Sequence, residues 1–242
     1  MNEREARARV RRAGIELVES GLVDGTWGNL SVRLDGGLMA ITPSGRDYRA
    51  LRDEDIVLVD IGTGEARGGK PSTETPLHRA VYAARPEVGA VVHTHSASAS
   101  TVAAARREVP PLLDDFAQVV GPSLRVADYA LPGTARMAKG VLKALGGRMA
   151  ALLANHGAVA LGRDMDEALL CARMAEKGCR VFIEAEFLGG AAALRPVEAW
   201  AMHQVYLRKY SKMKGAAPEA RPEGESPAGG GNTAPGGDGT SR

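Results

Sequence analysis

Apolar residues recur along the chain with two spacings, one typical of helices and one typical of strands. Residues 2–20 carry apolar positions in a charged background and stop at Gly21, which predicts a helix with a glycine C-cap. Two short apolar runs at 29–34 and 38–42 flank Asp35-Gly36, which predicts a hairpin. Further strands are predicted at 56–61, 88–95, 150–153 and 158–161, and further helices at 75–84, 96–106, 164–188 and 196–214.

This alternation predicts a sheet layered with helices. The hairpin argues against a wholly parallel sheet, so we predict the α/β class with three layers. The start of the 164–188 helix carries Asp164-x-x-Glu167, a pattern similar to a capping box.

Composition indicates one globular domain followed by a tail. The chain has 242 residues, of which 44% are hydrophobic and 25% charged, enough for one substantial core. From Gly215 onward it becomes rich in Gly, Pro, Ala, Glu and Ser without apolar periodicity. We therefore predict a folded domain over 1–214 and a disordered tail over 215–242.

Charge and cysteine usage exclude several functional classes. A formal net charge of +2 does not indicate a nucleic-acid partner. The first seven residues lack the apolar core of a signal peptide, and no apolar run is long enough to span a bilayer, so we expect a cytoplasmic protein with no membrane partner. Cys171 and Cys179 are eight residues apart on one predicted helix, about 12 Å along its axis, which predicts buried thiols and no disulfide.

The chemistry begins with His93-Thr94-His95 at the end of a predicted strand. Residues i and i+2 of a strand share a face, so both imidazoles can converge on one ion. Glu74 opens a predicted helix and His156 lies between two predicted strands, where side chains can project into a cleft. Together the four residues would suit a zinc-type ion. Taken alone, His156 also fits a hydrogen-bonded core histidine, and Glu74 a carboxylate that stabilises a helix N-terminus.

Three polar, glycine-rich segments form a second group of candidates. Such segments supply backbone N–H groups and hydroxyls that can hold a phosphate without a lysine. No Walker-type or dinucleotide motif is present, so a nucleotide is not implied. Each segment alone is also typical of a simple turn. The candidate phosphate contacts are Gly28 and Asn29, Ser44 and Gly45, and Ser72 and Thr73.

Five motifs in order over about residues 5–190 resemble the class II aldolase/adducin family, whose members include fuculose-1-phosphate aldolase and ribulose-5-phosphate 4-epimerase. The resemblance to the fuculose-1-phosphate aldolase branch is the strongest. The motifs are Gly25-Thr26-Trp27-Gly28-Asn29-Leu30-Ser31, Ile41-Thr42-Pro43-Ser44-Gly45, Pro71-Ser72-Thr73-Glu74, Val91-Val92-His93-Thr94-His95 and Asn155-His156-Gly157.

The resemblance implies a role for each candidate. It implies that His93, His95 and His156 ligate Zn²⁺, or another divalent metal, and that Glu74 is both ligand and catalytic base. It also implies that the three glycine-rich segments hold the phosphate of a small sugar substrate. The implied fold is a three-layer αβα arrangement with a central, largely antiparallel sheet. The implied assembly is a homotetramer with sites at subunit interfaces.

The implied activity is cleavage of a ketose 1-phosphate to dihydroxyacetone phosphate and an aldehyde. Glu74 favours this reaction, because the aldolase branch carries Glu where the epimerase branch carries Asp. A 4-epimerase, a methylthioribulose-1-phosphate dehydratase, a sugar-acid phosphate decarboxylase and an adducin-like non-catalytic domain stay open as alternatives.

The chain departs from the family pattern at one functional position. No tyrosine matches the one that follows the family's proline-containing loop, so protonation of the aldehyde oxygen needs another group. Tyr206 and Tyr210 of the last helix are candidates. Asp114 and Asp115 are either substrate contacts or solvated acids. His78, four residues after Glu74, is expected behind the metal ligands.

Overall fold

The fold, known from a computed structural model, is described for residues 1–213. The tail predicted at 215–242 lies outside the described residues. The helices are α1 (Glu3–Glu19), α2 (Thr75–Ala84), α3 (Ala97–Ala104), α4 (Asp114–Val119), α5 (Ala135–Leu145), α6 (Met165–Phe187) and α7 (Pro196–Met213). The strands are β1 (Asn29–Arg33), β2 (Leu38–Ile41), β3 (Val57–Asp60), β4 (Ala66–Arg67), β5 (Ala90–Thr94), β6 (Val126–Ala127), β7 (Ala150–Leu153) and β8 (Gly157–Gly162).

The strands form one sheet in the order β4-β3-β2-β1-β5-β8-β7-β6. Neighbouring strands are antiparallel except β6 and β7, which are parallel. Helices cover the sheet, with α6 packed on β5 and β8 and α5 packed on β6 and β7. The predicted three-layer αβα architecture with a largely antiparallel sheet is therefore confirmed.

Strand β1 has an apolar face and a polar face, which point toward different helical layers. Leu30 and Val32 alternate with Asn29, Ser31 and Arg33, so the apolar and polar side chains point to opposite faces. The polar three hydrogen-bond to α2 and the turn that follows it. Helix α1 packs on β1 and β2. The polar face of β1 is buried, and it leads into the site described below.

The hairpin and the α2 helix match their predicted positions, because turn and cap residues mark their ends. Gly21 has a φ of 67° and bonds back to Val18, as the predicted glycine C-cap requires. The capping box predicted for α6 is only half formed. Asp164 accepts from the backbone N–H of Glu167, but the Glu167 carboxylate bonds Arg163 instead of the Asp164 backbone. The buried Glu167 requires a cationic partner, and the Arg163 guanidinium provides it.

Cys171 and Cys179 are buried free thiols, as predicted. Within residues 1–213, no helix is long and apolar enough to cross a membrane.

Two helix-interior glycines offer a matched test of the packing. A Cβ on Gly178 of α6 would lie 2.4 Å from the ring of Phe116, whereas a Cβ on Gly140 of α5 would meet no atom closer than 3.9 Å. We expect Gly178→Ala to lower the free energy of unfolding by about 1–3 kcal/mol, because the buried ring must move. We expect Gly140→Ala to be neutral or stabilising by up to about 1 kcal/mol, because alanine favours the helix.

Denaturant unfolding of both variants measures this difference. Equal stability of Gly178→Ala and Gly140→Ala would contradict the close packing of Phe116 on α6.

Candidate active site

Two histidines of the site lie at the end of the central strand β5. His93 is the fourth residue of β5 and pairs with Asn29 of β1 and Val159 of β8. His95 follows the last residue of the strand. Because residues two apart in an extended chain share a face, the two imidazoles converge, and their Nε2 atoms are 2.9 Å apart.

His156 reaches the same point from the turn between β7 and β8. Asn155 adopts a φ of 55°, a left-handed conformation that asparagine tolerates better than most residues. A Cβ on Gly157 would lie 2.1 Å from the carbonyl oxygen of Thr94, so only glycine lets this turn approach β5. The Nε2 of His156 consequently lies 3.3 Å from that of His93.

Glu74 approaches the histidines from the start of α2. It occupies the N-cap position, but its side chain makes no capping hydrogen bond. Its Oε2 lies 3.1 Å from Nε2 of His93, and its Oε1 lies 3.2 Å from Nε2 of His156. The buried carboxylate therefore faces the imidazoles, which the alternative of a simple helix-start acid does not explain.

The ring of His93 is held in the form that a metal ligand needs. Its Nδ1 lies 2.9 Å from the carbonyl oxygen of Ala158, which can only accept, so Nδ1 carries the hydrogen. Burial lowers the pKa of His93 to about 4, so the ring is neutral at pH 7. Its Nε2 is thus an unprotonated acceptor that faces the Glu74 carboxylate.

Two acceptors at this distance repel each other unless a cation lies between them. The three histidines offer nitrogen atoms within 4.8 Å of one another, and Glu74 adds a carboxylate oxygen. Three imidazoles and one carboxylate are a donor set typical of a divalent transition metal or zinc. The residues present therefore fit a metal ion.

Local electrostatics keep these groups in their ligating states. Burial raises the pKa of Glu74, but His93, the amide of Asn29 and His156 outweigh it, so the pKa lies below its usual value. Burial lowers the pKa of His95. Near neutral pH, the carboxylate is therefore ionised and the imidazole of His95 is neutral, which are the states that bind metal.

A buried hydrogen-bond chain extends from Glu74 into the fold. The Asn29 amide donates to Oε2 of Glu74 over 2.9 Å, and Asn29 Oδ1 lies 2.6 Å from Nε2 of His78. His78 Nδ1 lies 2.7 Å from the hydroxyl of Ser31, which lies 2.8 Å from the hydroxyl of Tyr82. His78 was expected behind the metal ligands, and it reaches Glu74 through Asn29.

Sequence reasoning missed the outer members of this chain, Ser31 and Tyr82. The signal was present in the spacing. Asn29 and Ser31 share one face of a strand, and His78 and Tyr82 share one face of a helix. Each pair marks a polar face of its element, which can meet another polar face in the core.

The metal candidates open onto a cleft of about 260 Å³. Its wall includes all six predicted phosphate contacts together with Glu74, His95 and His156. Trp27 lies at the rim, 67% exposed, with its ring stacked on His95 at 6.0 Å between centroids. Among the described residues, the cleft lining has no lysine or arginine, so neutral groups are the donors that this part of the chain offers an anion there.

Backbone pairing holds two of the predicted phosphate segments side by side. The N–H of Ser44 bonds the carbonyl of Lys70, and the N–H of Ser72 bonds the carbonyl of Thr42. These two amides are therefore used within the fold, so the hydroxyls are the donors that Ser44 and Ser72 can offer a ligand. The Ser72 hydroxyl also accepts from the N–H of Glu74, which links this segment to the metal candidates.

The third segment approaches the end of β5. A Cβ on Gly28 would lie 2.8 Å from the carbonyl oxygen of His93, and Gly28 has a φ of 105°, so glycine is required. The neighbouring Asn29 has its Oδ1 and one amide hydrogen occupied by His78 and Glu74. Its second amide hydrogen is the one that a ligand can use.

The other candidates whose side chains are described are absent from the cleft lining. Asp115 pairs with Lys177 on the surface, and Asp114 begins the same helix. Tyr206 packs against the hydrophobic core, and the side chain of Tyr210 lies outside the described part. His203 is buried against the carbonyl of Gln118.

Comparisons with known proteins agree with this geometry. The family model described as Class II Aldolase and Adducin N-terminal domain matches residues 8–183. A 5-methylthioribulose-1-phosphate/5-deoxyribulose-1-phosphate aldolase of Rhodospirillum rubrum is 44% identical over 158 residues, 65% of this chain and 71% of the relative. An L-fuculose phosphate aldolase of Escherichia coli K12 is 36% identical over 170 residues, 70% of this chain and 78% of the relative.

Solved structures indicate the same family. A structure of an L-fuculose 1-phosphate aldolase superposes with a TM-score of 0.80 at 34% identity, over 84% of this chain and 96% of that one. The model match, the relatives and the shared fold show that the chain belongs to the class II aldolase and adducin family, as one of its carbon–carbon lyases.

Proposed function

We propose that the chain is a zinc-dependent aldolase that cleaves a ketose 1-phosphate to dihydroxyacetone phosphate and an aldehyde. The observation that carries the proposal is the Glu74 carboxylate, which contacts two imidazoles of the metal candidates and also lines the cleft. A relative and a solved structure that are named as aldolases of sugar 1-phosphates support this class of substrate.

His93, His95 and His156 would hold the metal, with Glu74 as a fourth ligand. When bound, Zn²⁺ would supply Lewis-acid polarisation of the ketose carbonyl. We propose zinc because three imidazoles and one carboxylate are a donor set typical of it, although other divalent metals bind the same donors.

Glu74 is proposed as the group that moves the proton. Cleavage breaks the C3–C4 bond, its electron pair stays with the three-carbon fragment, and that fragment takes a proton at C3. An ionised carboxylate on the cleft wall can hold and deliver this proton. The C4 hydroxyl loses a proton as the aldehyde forms, and this balances the proton that C3 takes. The described cleft lining offers no tyrosine to accept the proton from the C4 hydroxyl.

The phosphate is proposed to bind at the glycine-rich wall of the cleft. Gly28, Asn29, Ser44, Gly45, Ser72 and Thr73 are the proposed contacts. Hydroxyl and amide donors can hold a phosphate without a cationic side chain, as the wall of this cleft requires.

We further propose a cytoplasmic homotetramer with sites at subunit interfaces. Large apolar side chains are exposed at the end of α6 and along α7, and such patches are typical of contact surfaces. They are Phe187, Leu188, Val197, Trp200 and Val205. Light scattering on the purified chain should give four times the chain mass, and a monomer would contradict this assembly.

Glu74→Gln tests the proton step. We expect it to lower kcat for dihydroxyacetone phosphate release by about 10²–10⁴-fold, because the amide cannot move a proton. Glu19→Gln, at an exposed position of α1, is the control and should match the wild type. A coupled assay across a panel of ketose 1-phosphates, with metal analysis of each protein, provides the measurement.

Removal of the metal with a chelator should abolish the same release, and Zn²⁺ should restore it. Bound metal without release from any ketose 1-phosphate would contradict the aldolase proposal in favour of the epimerase, dehydratase or decarboxylase alternatives. A wild-type protein that retains no metal would favour the non-catalytic alternative.

Thr73→Ala tests the phosphate wall. Thr73 is exposed in the cleft, and we expect its loss to raise KM for a ketose 1-phosphate by about 10-fold, the effect of one hydrogen bond to a charged group. KM for the unphosphorylated ketose should not change. Thr101→Ala, an exposed threonine of α3, is the control. An equal change in KM for both substrates would contradict a phosphate contact.

A further inference from the structure

We propose that His78 is a positioning residue that fixes the orientation of Glu74 through Asn29. The inference rests on the proposed function of Glu74 as metal ligand and proton carrier. It assigns a role to a buried histidine that lies outside the metal candidates and is absent from the cleft wall.

The direction of each hydrogen bond in the chain follows from the Glu74 carboxylate at its end. The Glu74 carboxylate can only accept, so the Asn29 amide nitrogen must face it. Asn29 Oδ1 then faces His78 and must accept from its Nε2–H. His78 Nδ1 is left to accept from the Ser31 hydroxyl, which can accept from Tyr82 in turn. Every donor in the chain therefore points toward Glu74.

Glu74 sets which end of the Asn29 amide faces it, and an Nε2–H of His78 supports the same orientation. If the amide were flipped, its oxygen would oppose the Glu74 carboxylate, and its NH₂ group would oppose the Nε2–H of His78. The first contact would be repulsive, and so would the second while His78 carries its hydrogen on Nε2. An N–H from His78 on Asn29 Oδ1 therefore stabilises the orientation that donates to Glu74.

His78 is well suited to this role because it is neutral and immobile. It is 0% exposed, and burial lowers its pKa to about 3. A neutral imidazole offers one donor and one acceptor, which are the two functions that Asn29 and Ser31 require. Its place one helical turn after Glu74 ties both residues to the same rigid element.

The expected consequence is a carboxylate held in one rotamer. Oε2 of Glu74 receives the Asn29 amide on one side and faces His93 on the other. Without the amide, the carboxylate can turn away from the metal ligands. Loss of the His78 N–H should thus weaken metal binding and slow turnover, while substrate KM changes little.

Two substitutions at the same position separate positioning from general packing. The side-chain nitrogen of His78→Gln can occupy the place of Nε2 and donate to Asn29, whereas that of His78→Asn lies near the place of Nδ1 and reaches only Ser31. Both variants are polar, uncharged and smaller than histidine. Tyr82→Phe, which removes the far end of the chain, is the control for stability.

The measurements are Zn²⁺ affinity by chelator competition, kcat and KM for dihydroxyacetone phosphate release, and thermal unfolding. We expect His78→Asn to lower Zn²⁺ affinity and kcat by about 10–100-fold, with KM within about threefold of the wild type. We expect His78→Gln and Tyr82→Phe to stay within about threefold in affinity and kcat, even where their stability falls.

Two results would overturn the proposal. Equal losses in His78→Gln and His78→Asn would indicate packing alone, and wild-type values in both would indicate no role. If His78→Asn does not fold, Asn29→Ala replaces it, and an unchanged Zn²⁺ affinity in that variant would overturn the proposal. Zn²⁺ affinity is independent of the sugar, so a wild type without aldolase activity would refute the proposed function while the positioning role is still tested.

Discussion

The Glu74 carboxylate meets the imidazoles at the end of strand β5, and its repulsion of the unprotonated Nε2 of His93 is the constraint on which the site depends. A carboxylate oxygen and an unprotonated imidazole nitrogen 3.1 Å apart are unfavourable unless a cation or donors compensate them. On the buried side, the Asn29 amide donates a hydrogen bond to Glu74. On the cleft side, the three imidazoles and the carboxylate fit a metal ion. The surrounding elements hold these groups in place.

The support comes from rigid elements on three sides. The sheet holds His93 and His95, the β7–β8 turn brings His156, and the start of α2 brings Glu74. Gly28 and Gly157 let two turns approach the end of β5 at distances that no side chain would allow. These elements bring the four side chains to one point, and the hydrogen bond from Asn29 orients the Glu74 carboxylate there.

The cleft in front of the metal candidates differs in composition from the buried hydrogen-bond chain behind them. Its wall is formed by hydroxyls, amides and glycines that lie in turns, and it lacks cationic side chains. The similar aldolases are named for different phosphorylated sugars. This agrees with the proposal that the glycine-rich wall of the cleft binds the phosphate.

The fold class, the main elements and the candidate residues could be predicted from the amino-acid sequence, because periodicity, turn residues and caps are local signals. The Asp35-Gly36 hairpin, helix 75–84 and the His93-x-His95 pair are examples. Contacts between distant segments could not be predicted in this way and depend on how the elements pack. The Glu167–Arg163 pair replaced the reciprocal half of a predicted cap, because burial of a charge outweighed a local pattern. The Tyr82–Ser31–His78–Asn29 chain appeared only when β1 and α2 were packed face to face. The spacing within each element marks a polar face, but it does not say which element about 50 residues away that face meets.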